Sequence, residues 1–225
     1  MAYDSHIEDM QIKAGGYYTG DRAEMLHYIP REARRILDVG CGAGLFSRQL
    51  KRAGAAEVWG IELEAAAAEQ AALHLDRVLA GDIAQLLPRL PDSYFDCIVF
   101  NDVLEHLADP FYVLQTVKAK LQPGGVIVSC IPNVRYILNL RDLLAGKQWK
   151  YADGGVLDKT HLRFFTLKSL IETFHTLGYD ILKMEGLRPI KTWKFTLLNL
   201  ICCGSLADTR FLQFASVIRP RSTVP

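Results

Sequence analysis

The chain has 225 residues, half of them hydrophobic and 23% charged, which supports one buried core and excludes long intrinsic disorder. Its 26 Lys and Arg balance 25 Asp and Glu, so a net charge of +1 excludes a basic field that gathers nucleic acid. Five cysteines, Cys41, Cys97, Cys130 and the adjacent Cys202 and Cys203, form no disulfide framework, and reduced thiols in a cytoplasmic chain are expected.

Residues 1–34 are polar and mixed, with a helix expected over 21–28 that stops before Pro30. From Arg35 the pattern changes. RILDVG reads as a strand broken at glycine, GLFSRQLKRAG as a helix and EVWGIE as a second strand. AAAAEQAALHL is an alanine-rich helix, RVLAGDI a third strand, FDCIVFNDV a fourth, PFYVLQTVKAKL a helix closed by PGG, and VIVSCIP a fifth strand. Each strand is a continuous apolar run, which predicts a sheet buried on both faces: an α/β, doubly wound, mostly parallel fold.

Beyond Pro132 the periodicity weakens. Asn133 to Gly146 reads as helical, Lys147 to Thr166 has no clear period, and LKSLIETFHTLG is a helix ending at Gly178. Strands are expected over Tyr179 to Leu187 and Phe211 to Ile218, with a short helix around Lys194 to Cys202 between them. A structureless stretch as long as Lys147 to Thr166 is unusual unless it is a lid or binding loop. No basic segment followed by an apolar run opens the chain, and the longest apolar run, Leu197 to Cys203, is well below the ~20 residues of a bilayer span, so no stable membrane insertion is expected.

The most informative segment is ILDVGCGAGLF, where Gly40, Gly42 and Gly44 mark the junction of the first strand with its helix. Glycine there permits a sharp turn and close approach of a ligand to the main chain, beside the helix N-terminal N–H groups. A dinucleotide fingerprint G-x-G-x-x-G would place glycine at Leu45, whereas here the glycines alternate and Asp38 lies two residues ahead. That pattern disfavours NAD and FAD.

An acidic residue followed by G-x-G-x-G resembles the first motif of the class I S-adenosylmethionine-dependent methyltransferases, and the resemblance continues in order along nearly the whole chain. It implies a seven-stranded Rossmann-like sheet in a single domain, divided as a cap (1–34), a cofactor-binding core (35–132), a lid (133–166) and a C-terminal helix and strands (167–225). Glu62, eighteen residues after Gly44, would accept the hydrogen bonds of a ribose diol. Asp82 would meet the adenine amino group, with Ile83 against the ring. Asn101, in FDCIVFNDVLEHLADP, ends the fourth strand on the cofactor side. Tyr17, Tyr18 and Arg22 would fold over the glycine loop, arginine suiting the carboxylate of the methionine moiety and tyrosine the sulfonium. GGYYTGDRAEMLHYIP, VLEHLADP and LDKTHLRFFT are similar to bacterial methyltransferases associated with surface polysaccharides, which implies a small hydroxyl-bearing acceptor.

A hydroxyl acceptor requires removal of its proton, and imidazole is the usual base near neutral pH. His106 follows the fourth strand at the carboxyl edge of the sheet, where ligands bind in such folds, and His161 lies in the KTHLRFF stretch; these are the two candidates. Asp102, Glu105 and His106, at i, i+3 and i+4, resemble the acidic, acidic, histidine cluster of ubiquinone-biosynthesis O-methyltransferases, with aspartate where that family has glutamate. The shorter side chain favours helix capping by Asp102, and no metal is assigned. Arg135, Tyr136, Trp149, Tyr151 and Phe165 could wall a sugar or phosphorylated acceptor or pack among themselves.

Three classes fit the glycine loop: a small-molecule methyltransferase, a nucleotide-binding oxidoreductase and a non-catalytic cofactor binder. The absent third fingerprint glycine disfavours the second, and the two histidines the third. Neutral charge and NDVLEH in place of Asn-Pro-Pro-Tyr disfavour a nucleic-acid target. No motif specifies the oligomeric state.

Overall fold

The computed structural model describes residues 22–221. Seven strands, β1 (Arg35–Val39), β2 (Glu57–Glu62), β3 (Arg77–Ala80), β4 (Phe95–Asn101), β5 (Leu121–Pro132), β6 (Tyr179–Pro189) and β7 (Phe211–Pro220), form one sheet in the order β3-β2-β1-β4-β5-β7-β6. The first five pair in parallel, and β7 runs antiparallel between β5 and β6. The intervening helices are α1 (Leu45–Arg52), α2 (Ala65–Ala72), α3 (Ile83–Leu86), α4 (Pro110–Val117), α5 (Ile137–Leu144), α6 (Leu167–Thr176) and α7 (Trp193–Ile201).

The continuous apolar runs have a packing cause. On β4, Ile98 and Phe100 enter one buried cluster with Leu37, Phe165 and Phe174, while Cys97 and Val99 enter the opposite one with Ile36, Phe46 and Val58. Alternate side chains point to opposite faces, so a strand covered on both sides needs apolar residues at every position. Strand order reverses between β1 and β4, and a crevice at the carboxyl ends of such strands is where ligands bind in open α/β sheets. Both the β5-to-α6 and the β6-to-β7 connections leave the sheet at that same edge, because β6, antiparallel to β7, runs in the direction of β5.

Several boundaries differ from the sequence expectations. The first helix is a 3-10 segment, Ala23–Tyr28, with Met25 and Tyr28 buried. RVLAGDI is strand only to Ala80, because Asp82 accepts a hydrogen bond from the Ala84 N–H at 2.8 Å and so caps α3. PGG lies inside β5, beside a register shift opposite Phe95 and Cys97, and does not terminate the preceding helix. The helix expected over Asn133 to Gly146 is reduced to α5. Lys147 to Thr166, in contrast, contains ordered structure: Ala152 pairs with Asp158 and Asn133 with Phe165, and Asp158 accepts from the Thr160 N–H and hydroxyl at 2.8 and 2.7 Å.

Candidate functional site

Gly40, Gly42 and Gly44 all have positive φ, at 71°, 53° and 82°. At Gly40 a side chain is also excluded sterically, since a Cβ would lie 2.5 Å from Cγ2 of Val103. The resulting loop is fixed by its neighbour strand, with the N–H groups of Gly40 and Cys41 donating to the Ile61 carbonyl at 2.7 and 3.1 Å. Gly44 then caps α1.

Glu62 and Asp38 brace this turn from below. The Glu62 carboxylate accepts from the N–H of Gly42 at 2.8 Å and of Glu64 at 3.0 Å, which fixes its orientation beside the loop. Its burial raises its pKa, against those backbone hydrogen bonds. Asp38 is also buried and accepts from the Ser47 hydroxyl at 2.5 Å, joining the end of β1 to α1. Burial raises its pKa to about 7, opposed by the Ser47 bond and assisted by the charge of Glu62. The ends of β1, β2 and β3 are in register, Val39 with Ile61 and Glu62 with Ala80, so the glycine loop, Glu62 and the Asp82–Ile83 turn share one edge. Asn101 ends β4 beside them, and neither side-chain amide atom has a hydrogen-bond partner among the described residues although both are buried.

The two candidate histidines converge. Their rings meet edge to face with centroids 4.7 Å apart. His106 Nδ1 lies 3.1 Å from the Thr160 carbonyl and His161 Nδ1 lies 3.0 Å from the Val156 carbonyl. A carbonyl only accepts, so each Nδ1 donates its N–H there, which turns each Nε2 to the other side of its ring. Glu105, 1% exposed, approaches His161 Nε2 at 4.0 Å, and neither of its carboxylate oxygens has a hydrogen-bond partner within the described residues. Burial raises its pKa to about 8, with Arg22 acting in the opposite direction and Asp158 in the same one. One potential ligand atom each from Glu105, His106 and His161 falls within a 4.8 Å cluster. The Glu105 carbonyl accepts the N–H groups of Leu162 and Arg163 at 2.8 and 3.0 Å, and Arg163 reaches the Ala108 carbonyl, so these bonds fasten the Leu162–Arg163 backbone to the turn that follows β4.

Asp102 is elsewhere than the i, i+3, i+4 spacing suggested. It adopts φ 53°, is ion-paired with Arg22, and accepts from the Gln213 amide at 2.6 Å. The cluster with Glu105 and His106 is completed by His161, because the residues after Asn101 form an irregular turn and a 3-10 segment, Leu104–His106, and not one α-helical face. Arg22, expected to face a cofactor carboxylate, is held by Asp102 and by Gln213 at 3.2 Å. Tyr17 and Tyr18 lie outside the described residues.

The proposed aromatic wall divides. Phe165 is a core residue, and Arg135 pairs with Asp208 at 2.8 Å. Trp149 and Tyr151 instead stack around Phe164, at 5.5 and 6.4 Å, and Phe164 lies 6.4 Å from His161. Sequence reasoning passed over Phe164 and the partnership of Glu105 with His161. Only its RFF context marked the former, and no local spacing marked the latter.

Residues 10–184 match the model of a family described as a methyltransferase domain. The ubiquinone biosynthesis O-methyltransferase of Cereibacter sphaeroides is 29% identical over 181 residues, covering 75% of this chain and 70% of that protein. Among solved structures, a SAM-dependent methyltransferase from Archaeoglobus fulgidus superposes with a TM-score of 0.66 at 23% identity, over 89% of this chain and 92% of that one. An S-adenosylmethionine-dependent methyltransferase from Mesorhizobium loti gives a TM-score of 0.62 at 20% identity, over 92% and 99% of the two chains.

Proposed function

The chain belongs to the class I S-adenosylmethionine-dependent methyltransferases, and from that membership we propose that it methylates a hydroxyl of a small metabolite, with His106 and His161 supplying the base. The observation carrying this reading is the pair of imidazoles that meet at the sheet's carboxyl edge, each donating from Nδ1 to a backbone carbonyl with its Nε2 on the other side of the ring. Attack of the acceptor oxygen on the sulfonium methyl forms the O–CH3 bond and breaks the S–CH3 bond, leaving neutral S-adenosylhomocysteine, while the hydroxyl proton passes to an Nε2. Glu105 at 4.0 Å would stabilise the imidazolium of His161 in its ionised form, which burial disfavours below about pH 8. Gly40, Gly42, Gly44, Asp38, Glu62, Asp82, Ile83, Asn101 and Arg22, with Tyr18, form the cofactor side in this reading, Arg22 acting through its clamp on Asp102.

The O-methyltransferase relative supports an oxygen acceptor, and the stack of Trp149, Tyr151 and Phe164 suits the apolar face of a sugar or a phenol ring. The likeness of the LDKTHLRFFT segment to surface-polysaccharide methyltransferases places sugar nucleotides first in a screen. A coupled S-adenosylhomocysteine-release assay over sugar nucleotides, quinols, phenols and amines identifies the class. With that acceptor, His106→Ala or His161→Ala is expected to lower kcat by about 10²–10⁴-fold with S-adenosylmethionine affinity retained; full kcat in both variants overturns the base assignment.

A second reading is favoured by the Glu105, His106 and His161 cluster, whose ligand atoms fall within 4.8 Å and whose imidazoles are hydrogen-bonded at the far nitrogen, as in metal-bound histidines. A divalent cation there would polarise the acceptor oxygen. Chelation separates the two: the base reading expects undiminished turnover after EDTA, the metal reading a loss restored by magnesium, manganese or zinc.

A further inference from the structure

On α7 the apolar stripe faces solvent. Trp193, Leu197, Leu200 and Ile201 follow i, i+4, i+7 and i+8, the spacing that normally buries one helix face, yet Trp193, Leu200 and Ile201 are 72%, 73% and 70% exposed. Phe195 is the one residue of the nine that is buried. The second connection at the same sheet edge repeats the feature: α5 buries none of its eight residues, and Leu144 is 76% exposed. A short K-x-W-K sequence stands beside each helix, Lys147-Gln148-Trp149-Lys150 after α5 and Lys191-Thr192-Trp193-Lys194 at the start of α7, and all four lysines are exposed.

Charge identifies the occupant. Segments 137–151 and 191–203 carry five cations and one anion, on a chain whose net charge is only +1. The single anion, Asp142, is neutralised by Arg141 at 2.7 Å, and Lys147, Lys150, Lys191 and Lys194 form no ion pair among the described residues. A leucine stripe bordered by tryptophans and by lysines with long apolar stems is the composition that settles at a lipid headgroup boundary, with rings and leucines in the acyl margin and ammonium groups at the phosphates. A second copy of this chain would instead bring the same cations into opposition. No described helix is long and apolar enough to cross a bilayer, so contact would be in the plane of the interface.

We propose that the edge formed by α5, α7 and their two K-x-W-K segments docks on an anionic bilayer surface, placing the mouth of the candidate site against the membrane. The inference rests on surface residues alone and stands or falls independently of the methyl-transfer chemistry. The full chain is incubated with vesicles of phosphatidylcholine alone or with 30 mol% phosphatidylglycerol added, on the order of 0.1 M salt, and sedimented. Expected is co-sedimentation with the anionic vesicles, weakened on the order of tenfold by Lys191→Glu with Lys194→Glu and by Trp193→Ser with Leu200→Ser, and reversed by raising salt to about 0.5 M. Unchanged S-adenosylmethionine affinity in both double variants shows that they are folded. Failure to bind anionic vesicles overturns the proposal, as does binding equal on both lipids and indifferent to salt. A stable dimer that the Trp193→Ser with Leu200→Ser variant dissociates overturns it as well.

Discussion

Glu62 is held in place by the protein's own backbone, with both oxygens bonded to main-chain N–H groups of the glycine turn and of Glu64. Glu62→Ala is therefore expected to weaken S-adenosylmethionine binding by about tenfold or more, since a hydrogen bond to a charged group contributes roughly 1.5–3 kcal/mol. Unchanged calorimetric affinity would remove Glu62 from the site. Asp38 leads to a pH prediction. Its carboxyl is held up at about 7 by burial, whereas in the unfolded chain it ionises near 4. Between those values the unfolded state has released the proton and the folded state has not, so its contribution to stability declines as pH rises from about 4 to about 7 and is level above. One proton limits the slope to about 1.4 kcal/mol per pH unit. Thermal melts of Asp38→Asn should follow a visibly shallower decline over that window than the parent protein; parallel curves would mean that Asp38 ionises normally. Residues linked by short spacing, such as Gly40, Gly42, Gly44 and Glu62, were legible in the sequence. The meeting of Glu105 with His161, and of Asp102 with Arg22 and Gln213, was not, because each depends on chain segments brought together only by the sheet.

At the scale of elements, strand identity was legible because burial on both faces demands uninterrupted apolar runs, and element ends were not, because single hydrogen bonds decide them. Asp82 capping α3 cuts RVLAGDI short, and the Asn133–Phe165 pairing folds a stretch with no hydrophobic period. The start of α6 illustrates the energetics. Thr166 accepts from the Ser169 N–H at 3.1 Å while the Ser169 hydroxyl accepts from the Thr166 N–H at 2.9 Å, a reciprocal cap. Thr166→Ala should cost about 1 kcal/mol, a fall in Tm of about 2–4 °C, with S-adenosylmethionine affinity unchanged. Gly40→Ala, by contrast, combines φ 71° with a 2.5 Å clash against Val103, at the junction that supports the glycine loop. It is expected to lower both Tm and cofactor affinity. Loss of stability alone would indicate that the loop re-forms when ligand binds.

Across the whole molecule, the edge proposed to hold the cofactor is assembled from four strand ends, and the backbone of Leu162 and Arg163 is fastened to the same edge through the Glu105 carbonyl. None of these groups is near the others in an unfolded chain, so a ligand of this edge binds the folded state alone and stabilises it by mass action. At a hundred times its dissociation constant, S-adenosylmethionine should add about 2.7 kcal/mol, which for a chain of this size raises Tm by about 5–10 °C. NADH at the same concentration should leave Tm unchanged, because the glycines alternate as G-x-G-x-G and Leu45 occupies the position of the third dinucleotide glycine. Glu62→Ala compared at that same fixed concentration should retain only part of the shift, while His161→Ala, whose ring faces Glu105 and His106, should retain nearly all of it. An equal response to NADH would mean that the loop reads a nucleotide without regard to its sulfonium half. Loss of the shift in His161→Ala would make the lid part of cofactor binding, and the separation of cofactor side from acceptor side would fail.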